Sequence, residues 1–316
     1  MVDADQTPRY MTLVDSETAV DGPAVSMTQQ YMLGEHTTLT QKVILIAGSR
    51  RLDFRTQAHW RESQAMLRTS FPVAIQSETA AFEIQMGTIH RPTHTNTTWD
   101  LAKSEVPAQK WADLSQRDYG VALLNDCKYG YKVKGNVLDL NLLRSVVYPR
   151  QPLEAPDSER EPGAPRFGFT DQCEHFFTYS LLPHAGDHVE GNVVREAYQL
   201  NMPLAVSSDA HTSGAVPGLC EIDAPAVIVE AVKAAEDGSG DVIMRLYESF
   251  GGALETAVRF NVKQLAGASL VDMMERPLSA QEGLLEPKAG VVELQFGPYE
   301  IKTLRLQLGS GSRPKL

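Results

Sequence analysis

The stretch Leu52-Asp53-Phe54-Arg55-Thr56-Gln57-Ala58-His59-Trp60 decides the fold class of this sequence. Most of its even-numbered positions are apolar, whereas its odd-numbered positions are polar. A period of two sends alternate side chains to opposite faces, as in a β-strand with one buried face. The same period recurs at residues 82–86, 258–263 and 304–308. These alternations predict a chain built mainly from half-buried strands.

Further strands are predicted from apolar runs that end at Gly- or Asn-containing turns. The stretch 225–235 suits a helix by its Ala, Glu and Lys content, but its β-branched residues favour a strand. Only Val193–Leu200 predicts a short helix. The predicted fold class is therefore all-β, with antiparallel, supersandwich-like β-sandwich domains, short helical insertions and no catalytic α/β barrel. The remaining predicted strands are 39–46, 121–126, 137–143, 175–182, 242–250 and 291–296.

Two β-sandwich regions are expected, because 316 residues is about twice the common domain size. The larger region covers 1–200, is truncated on its N-terminal side, and contains a proline-rich loop at 149–172. A smaller C-terminal region covers 201–308. Residues 309–316 are rich in Gly and Ser and are predicted to be a flexible tail.

Composition restricts the partners and the compartment. The formal net charge of −11 is opposite in sign to that of a protein that binds nucleic-acid phosphates. No apolar run reaches the roughly 18 residues that a membrane helix needs, and the polar N-terminus lacks a secretory signal. Three cysteines without a CxxC spacing favour a reducing compartment. We expect a cytoplasmic protein without a nucleic-acid or membrane partner.

Residues 91–100 form a polar segment with one aromatic residue, a composition that suits a sugar site. Hydroxyl and amide groups can bond to sugar hydroxyls, and an aromatic ring can stack on the C–H face of a sugar. Arg91, His94 and Trp99 are therefore candidates for contact with a substrate. The alternative is a loop packed under the sandwich, with Trp99 in the core.

Two charged residues at predicted strand ends are further candidates. Asp126 follows the apolar run 121–124, and it either pairs with Lys128 or borders a cleft. Arg144 ends the apolar strand 138–143, and its planar guanidinium suits either sugar hydroxyls or a surface charge. Asp126 could orient that guanidinium through a bidentate pair.

The histidines predict no metal site. Two pairs are spaced by four residues, but a proline or a glycine interrupts each pair, so neither is expected to align on a helix. Asp209 and His211 have no further ligands nearby, whereas a tetrahedral zinc site needs three or four donors. All are predicted to be ordinary loop or surface histidines, and no catalytic or metal-binding residue is assigned. The two pairs are His90 with His94, and His184 with His188.

Three segments in collinear order carry a resemblance: 119–131 (YGVALLNDCKYGY), 140–145 (LNLLRS) and 174–184 (EHFFTYSLLPH). Together they resemble the C-terminal half of glycoside hydrolase family 38 α-mannosidases, and most closely the bacterial and cytosolic-type branch. The resemblance extends over roughly residues 20–308. Further matching segments are 50–54, 91–94, 110–114, 194–198, 222–225 and 245–248.

The resemblance implies that the catalytic groups of the enzyme belong to segments that this sequence does not match. Family members carry an aspartate nucleophile and zinc ligands in an N-terminal α/β barrel, followed by a helical bundle and β-sandwich domains. The resemblance therefore implies that this chain is the scaffold and substrate-rim part of an enzyme that hydrolyses terminal α-D-mannose. Such a part is not catalytic alone and holds no metal of its own. The implied partners are a mannose oligosaccharide and the missing barrel. In a homo-oligomer, a second copy of this chain would be a further partner. Gln109 departs from the family, which often has histidine there, and the 149–172 loop looks extended.

Two alternatives belong to other functional classes. A stand-alone carbohydrate-binding module would need an exposed aromatic platform, and the only tryptophans are Trp60, Trp99 and Trp111. A structural or oligomerisation domain would instead expose an apolar sheet face and have no affinity for sugars.

Overall fold

The structure is a computed structural model that describes residues 8–147, 168–205, 218–261, 265–279 and 283–309. The chain divides into two compact units. The first comprises Met1–Glu83 and Ile89–Pro203, and the second comprises Ile84–Thr88 and Leu204–Leu316. The chain passes from the first unit to the second near residue 203, close to the expected limit at 200. That the two regions are domains with limits at 200 and 308 stays a prediction.

Two sheets build the β-sandwich of the first unit. The nine-stranded sheet has the order β1-β2-β3-β4-β13-β10-β9-β6-β7, and the four-stranded sheet has the order β5-β12-β11-β8. Their bounds are β1 (Thr12–Asp21), β2 (Ala24–Leu33), β3 (Thr37–Ile46), β4 (Leu52–His59), β5 (Ala65–Pro72), β6 (Thr79–Ile84), β7 (Gly87–Pro92), β8 (Val106–Pro107), β9 (Trp111–Ser115), β10 (Tyr119–Asn125), β11 (Gly130–Lys134), β12 (Val137–Ser145) and β13 (Glu174–Ala185), with helices α1 (Thr98–Ala102) and α2 (Val193–Asn201).

The core of the first unit lies between these two sheets. Leu39 and Leu123 of the nine-stranded sheet belong to the same buried cluster as Tyr131 and Leu140 of the four-stranded sheet. The alternation of β12 explains how the second layer forms, because Leu138 and Leu140 are buried while Asp139 between them is partly exposed. The period-two pattern therefore produces one apolar face on each sheet, and the two faces pack together.

The C-terminal end of β12 is anchored in the core. The register against β5 shifts between Asn141 and Leu143, after which Leu143 and Ser145 are buried and Arg144 is exposed. The buried Trp60 indole Nε1 donates a hydrogen bond to the Ser145 hydroxyl. A tryptophan and a buried strand end thus hold the backbone from which Arg144 points to solvent.

The strands β1, β2 and β3 form a surface that we call the exposed ribbon. β1 is an edge strand, and all ten of its residues are exposed. An edge strand presents unpaired backbone N–H and C=O groups that can pair with another chain. Large apolar side chains are also exposed on this ribbon: Leu13, Val14, Val20, Val25, Met27, Met32, Leu45 and Ile46.

The second unit contains two further antiparallel sheets. Their orders are β14-β17-β20 and β15-β16-β21-β18-β19, and a separate buried cluster includes Val258 and Phe260 with Leu304 and Leu306. The bounds are β14 (Cys220–Ile222), β15 (Val227–Ala234), β16 (Val242–Glu248), β17 (Leu254–Phe260), β18 (Leu265–Val271), β19 (Leu284–Leu285), β20 (Val291–Phe296) and β21 (Ile301–Leu308).

The predicted all-β fold is confirmed, as are the strand over 225–235 and the helix that begins at Val193. The helix α1 was not predicted; the Thr97 hydroxyl caps it by accepting from the Asp100 backbone N–H at 3.1 Å. Most of the proline-rich loop and the tail from 310 lie outside the described residues. Neither helix in the described ranges is long and apolar enough to cross a membrane.

Candidate functional site

Arg144 combines a fixed backbone with a free side chain. Its backbone N–H donates to Asp171 Oδ2 at 3.0 Å, and its carbonyl accepts from the Thr170 hydroxyl at 2.7 Å. In the described part of the chain, the guanidinium makes no hydrogen bond or ion pair. Its five N–H donors are therefore available to a ligand.

Asp126 lies elsewhere than expected. It follows β10 of the nine-stranded sheet, whereas Arg144 lies on β12 of the four-stranded sheet. Asp126 Oδ2 accepts from the Thr178 backbone N–H at 2.9 Å, and Lys128 Nζ lies 4.7 Å from the centre of the Phe177 ring. Neither the Asp126–Lys128 pair nor the bidentate pair with Arg144 is formed among the described contacts, because the carboxylate bonds to the β13 backbone instead.

Arg91, His94 and Trp99 share one end of the first unit. The Gly135 N–H donates to the Thr93 carbonyl at 2.9 Å, which joins this segment to the β11–β12 turn. His94 Nδ1 lies 3.7 Å from Asp100 Oδ2. The Arg91 guanidinium lies over the Phe82 ring, 4.7 Å from its centre.

Apart from Asp126, the candidate residues therefore form two separate groups. The β11–β12 turn beside His94 precedes Val137, the first residue of β12, and Arg144 is near the other end of that strand. Seven residue steps at about 3.3 Å each put roughly 23 Å between Val137 and Arg144. A single mannose unit cannot contact both groups.

The tryptophans differ in exposure. Trp99 is 78% exposed, so the alternative that placed it in the core is wrong. Trp60 and Trp111 are buried and cannot offer their rings to a ligand. In the described ranges, Trp99 is the one tryptophan that could stack on a sugar.

His184 lies on the strand β13 and is buried, which corrects the expectation of a loop or surface residue, whereas His188 lies in the loop after β13, as expected, and is also buried. His184 Nε2 lies 2.8 Å from the buried Asp113 Oδ1. The imidazole of His184 fits between Gly120 and Gly191, at both of which a Cβ would collide with it. The sequence contains little signal for this network, because it depends on pairing between β9, β10 and β13.

The histidine rings next to this network are packed against one another. His188 stacks on Trp111 with 5.3 Å between ring centres, and His90 lies 5.9 Å from His188. Burial lowers the pKa of His188. Within the described residues, no group of three or more His, Cys, Asp or Glu side chains could hold a metal ion, so the donors present do not fit the zinc that the resemblance implies for the family.

Cys127 adjoins Asp126 but is not an activated nucleophile. Burial, together with the neighbouring Asp126 carboxylate, raises the pKa of the Cys127 thiol to about 12. A thiol with that pKa stays protonated near neutral pH, and the thiolate is the reactive form. The arrangement around Asp126 is therefore suited to hydrogen bonding and not to covalent catalysis.

Two family profiles match the chain. The "Glycosyl hydrolases family 38 C-terminal domain" matches residues 2–152, and the "Glycosyl hydrolases family 38 C-terminal beta sandwich domain" matches residues 226–304. The first match ends after β12, and the second begins just before β15. Each unit is thus matched by a different profile of the same family.

Curated relatives agree with the profiles. Alpha-mannosidase 2C1 of Homo sapiens is 35% identical over 298 residues, which cover 93% of this chain and 26% of the relative. Alpha-mannosidase G of Dictyostelium discoideum is 37% identical over 278 residues, which cover 85% of this chain and 23% of the relative. The chain spans about a quarter of the length of these relatives.

Solved structures share the fold. A crystal structure of an alpha-mannosidase from Enterococcus faecalis V583 aligns with a TM-score of 0.72 and 16% identity, and the alignment covers 94% of this chain and 35% of that one. Profiles, relatives and fold agree over both units, and the chain therefore belongs to glycoside hydrolase family 38, as the C-terminal part of its α-mannosidases.

Proposed function

We propose that this chain is the scaffold and substrate-rim part of an α-mannosidase that hydrolyses terminal α-D-mannose from oligosaccharides. The observation that carries the rim role is Arg144, an exposed guanidinium on a strand end whose backbone is bonded on both sides. An arginine held in this way can present paired donors to adjacent hydroxyls of a hexose. It would bind and orient the sugar, while the reacting groups lie outside this chain.

The exposed ribbon supports the scaffold role. Val14 and Val20 lie on an edge strand with apolar side chains in solvent, and such patches mark surfaces that pack against another protein. The proposed occupant is the N-terminal barrel of the same enzyme. Location in the cytoplasm also stays a proposal, supported by three free cysteines.

The rim role is tested by Arg144→Lys in a full-length enzyme that carries this chain. Lysine keeps the charge but loses the planar fork, so we expect kcat/KM for an α-mannoside to fall by about tenfold or more at unchanged thermal stability. Arg259→Lys is the matched control, because Arg259 is a strand arginine of the second unit that pairs with Asp223. Wild-type kinetics for Arg144→Lys would remove this residue from the site.

Two other functions have one supporting observation each. The exposed Trp99 favours a stand-alone carbohydrate-binding module, whereas the exposed ribbon favours an oligomerisation domain. A calorimetric titration of the chain with a mannose oligosaccharide distinguishes them. Micromolar binding that Trp99→Ala abolishes would support the module, and the rim role predicts no such affinity in the isolated chain.

A further inference from the structure

A cleft of about 410 Å³ opens on the first unit, between α1 and the strands β7, β8 and β11. Phe82 and Tyr131 contribute to its wall. Lys134, which adjoins the β11–β12 turn, also lines the cleft. The cleft therefore lies near the beginning of β12, whereas Arg144 lies near its end. The proposed rim therefore does not use this cleft.

Arg91 lines the cleft and has one donor atom without a partner. Its guanidinium packs on the Phe82 ring, and its Nη1 atom is buried without a hydrogen-bond partner in the described part of the chain. Burial also lowers the pKa of Arg91. A buried charged donor without an acceptor is costly, so the guanidinium has hydrogen-bonding capacity that this conformation does not use.

The charges of the cleft are unbalanced toward positive. Arg91, Lys103, Lys132 and Lys134 line it together with two acids, Asp100 and Glu105.

Both acids already have partners. Glu105 accepts from Arg68 at 2.5 Å, and Asp100 accepts from the Thr97 hydroxyl at 2.7 Å. Among the described residues, the ammonium groups of Lys103 and Lys132 make no hydrogen bond or ion pair. In a chain with a net charge of −11, two ammonium groups without a hydrogen bond thus lie at one cleft, and the Asp100 carboxylate attracts that of Lys103.

We propose that this cleft binds a phosphate group, with the Arg91 guanidinium and the ammonium groups of Lys103 and Lys132 as its cations. Arginine donors match phosphate oxygens in bidentate geometry, and lysine adds a mobile point charge. The phosphate comes either as the free ion or as part of a hexose phosphate, since both present the same terminal oxygens. This site goes beyond the proposed rim role, which concerns a neutral sugar at Arg144.

The test is a calorimetric titration of the 316-residue chain at low ionic strength with inorganic phosphate, mannose 6-phosphate and mannose. Saturable binding of both phosphates and none of mannose is expected. Affinity at least tenfold higher for mannose 6-phosphate identifies the sugar phosphate as the ligand, whereas equal affinity identifies the free ion. Absence of saturable phosphate binding overturns the proposal.

Variants assign the binding to the cleft. Lys103→Met with Lys132→Met, two exposed positions, should weaken phosphate binding by about tenfold or more. Lys42→Met is the matched control, because Lys42 is exposed on β3 outside the cleft, and it should bind as the wild type does. Arg91→Lys, checked for an unchanged melting temperature, reports on the Arg91 guanidinium. Equal losses in the double variant and in Lys42→Met would mean non-specific attraction and reject the site.

Discussion

Glu248 shows how one buried carboxylate organises the turn after β16. Its two oxygens accept backbone N–H groups from Phe250 at 2.7 Å, Gly251 at 2.8 Å, Gly252 at 3.2 Å and Tyr299 at 3.0 Å. The side chain is fully buried. One residue thus satisfies four backbone donors, three from the turn after β16 and one from Tyr299.

Glu248→Gln should therefore destabilise the second unit. Glutamine keeps the shape, but its NH₂ group faces N–H donors, so we expect the free energy of unfolding to fall by about 2 kcal/mol or more in urea denaturation. Glu255→Gln, at an exposed site on β17, should change it by no more than about 0.5 kcal/mol. Equal effects for the two variants would contradict the assigned role.

His188 should make stability depend on pH. Burial lowers its pKa, with Asp113 and Asp187 acting in the opposite sense and His90 and His184 in the same sense. Below the ordinary value of about 6.5, the unfolded chain binds a proton that folded His188 resists. The contribution of His188 is therefore present above about pH 6.5 and is lost as the pH falls through the lowered folded pKa.

A comparison of variants isolates this contribution. His188→Phe keeps a ring beside Trp111, so we expect its melting temperature to fall less than that of the wild type between pH 7 and pH 5. His36→Phe is the control, because His36 is exposed between β2 and β3, and it should retain the wild-type slope. A His188→Phe slope equal to that of the wild type would show that another group controls the loss.

At the scale of elements, the exposed ribbon should cause self-association. β1 offers a free edge and apolar side chains, so the average mass in light scattering should rise with concentration. Val20→Lys, at a position 74% exposed, should suppress this rise because a charge on an edge strand opposes strand addition. Met274→Lys replaces a comparably exposed apolar residue in a turn and should leave it unchanged. A concentration-independent monomer would reject this role of the ribbon.

The elements that could be predicted are those with one buried face. From Phe54 on β4 and from Leu304 on β21, the more buried positions alternate with more exposed ones, and this alternation is visible in the sequence. β1 has no buried face, so its sequence lacks the alternation of apolar and polar residues that predicts a half-buried strand. The helix α1 is only five residues long and buries none of them, so it lacks an apolar stripe.

The candidate site was predicted less well, for a topological reason. Arg144 was placed correctly at an exposed strand end, because its neighbours on the strand are apolar. Its relation to Asp126 and His94 depends on which strands share a sheet and which end of β12 each residue adjoins. Neither fact is contained in local sequence patterns, and hence the five candidates became two groups and a separate Asp126.

At the scale of the molecule, the chain alone should not hydrolyse an aryl α-mannoside. A retaining glycosidase needs two carboxyl groups about 5 Å apart, and losing members of a catalytic unit costs several orders of magnitude in rate. No rate above the buffer blank is expected from the purified chain, with a complete family 38 α-mannosidase as the positive control. Metal-dependent turnover that a chelator abolishes would overturn the assignment.

The packing of His184 between two glycines has an evolutionary consequence. Gly120 and Gly191 are held small by the imidazole, since a Cβ at either position would collide with it. Positions 120, 184 and 191 are therefore expected to vary together in evolution, although they are up to 71 residues apart along the chain. We expect lineages that keep His184 to retain glycine at both neighbours.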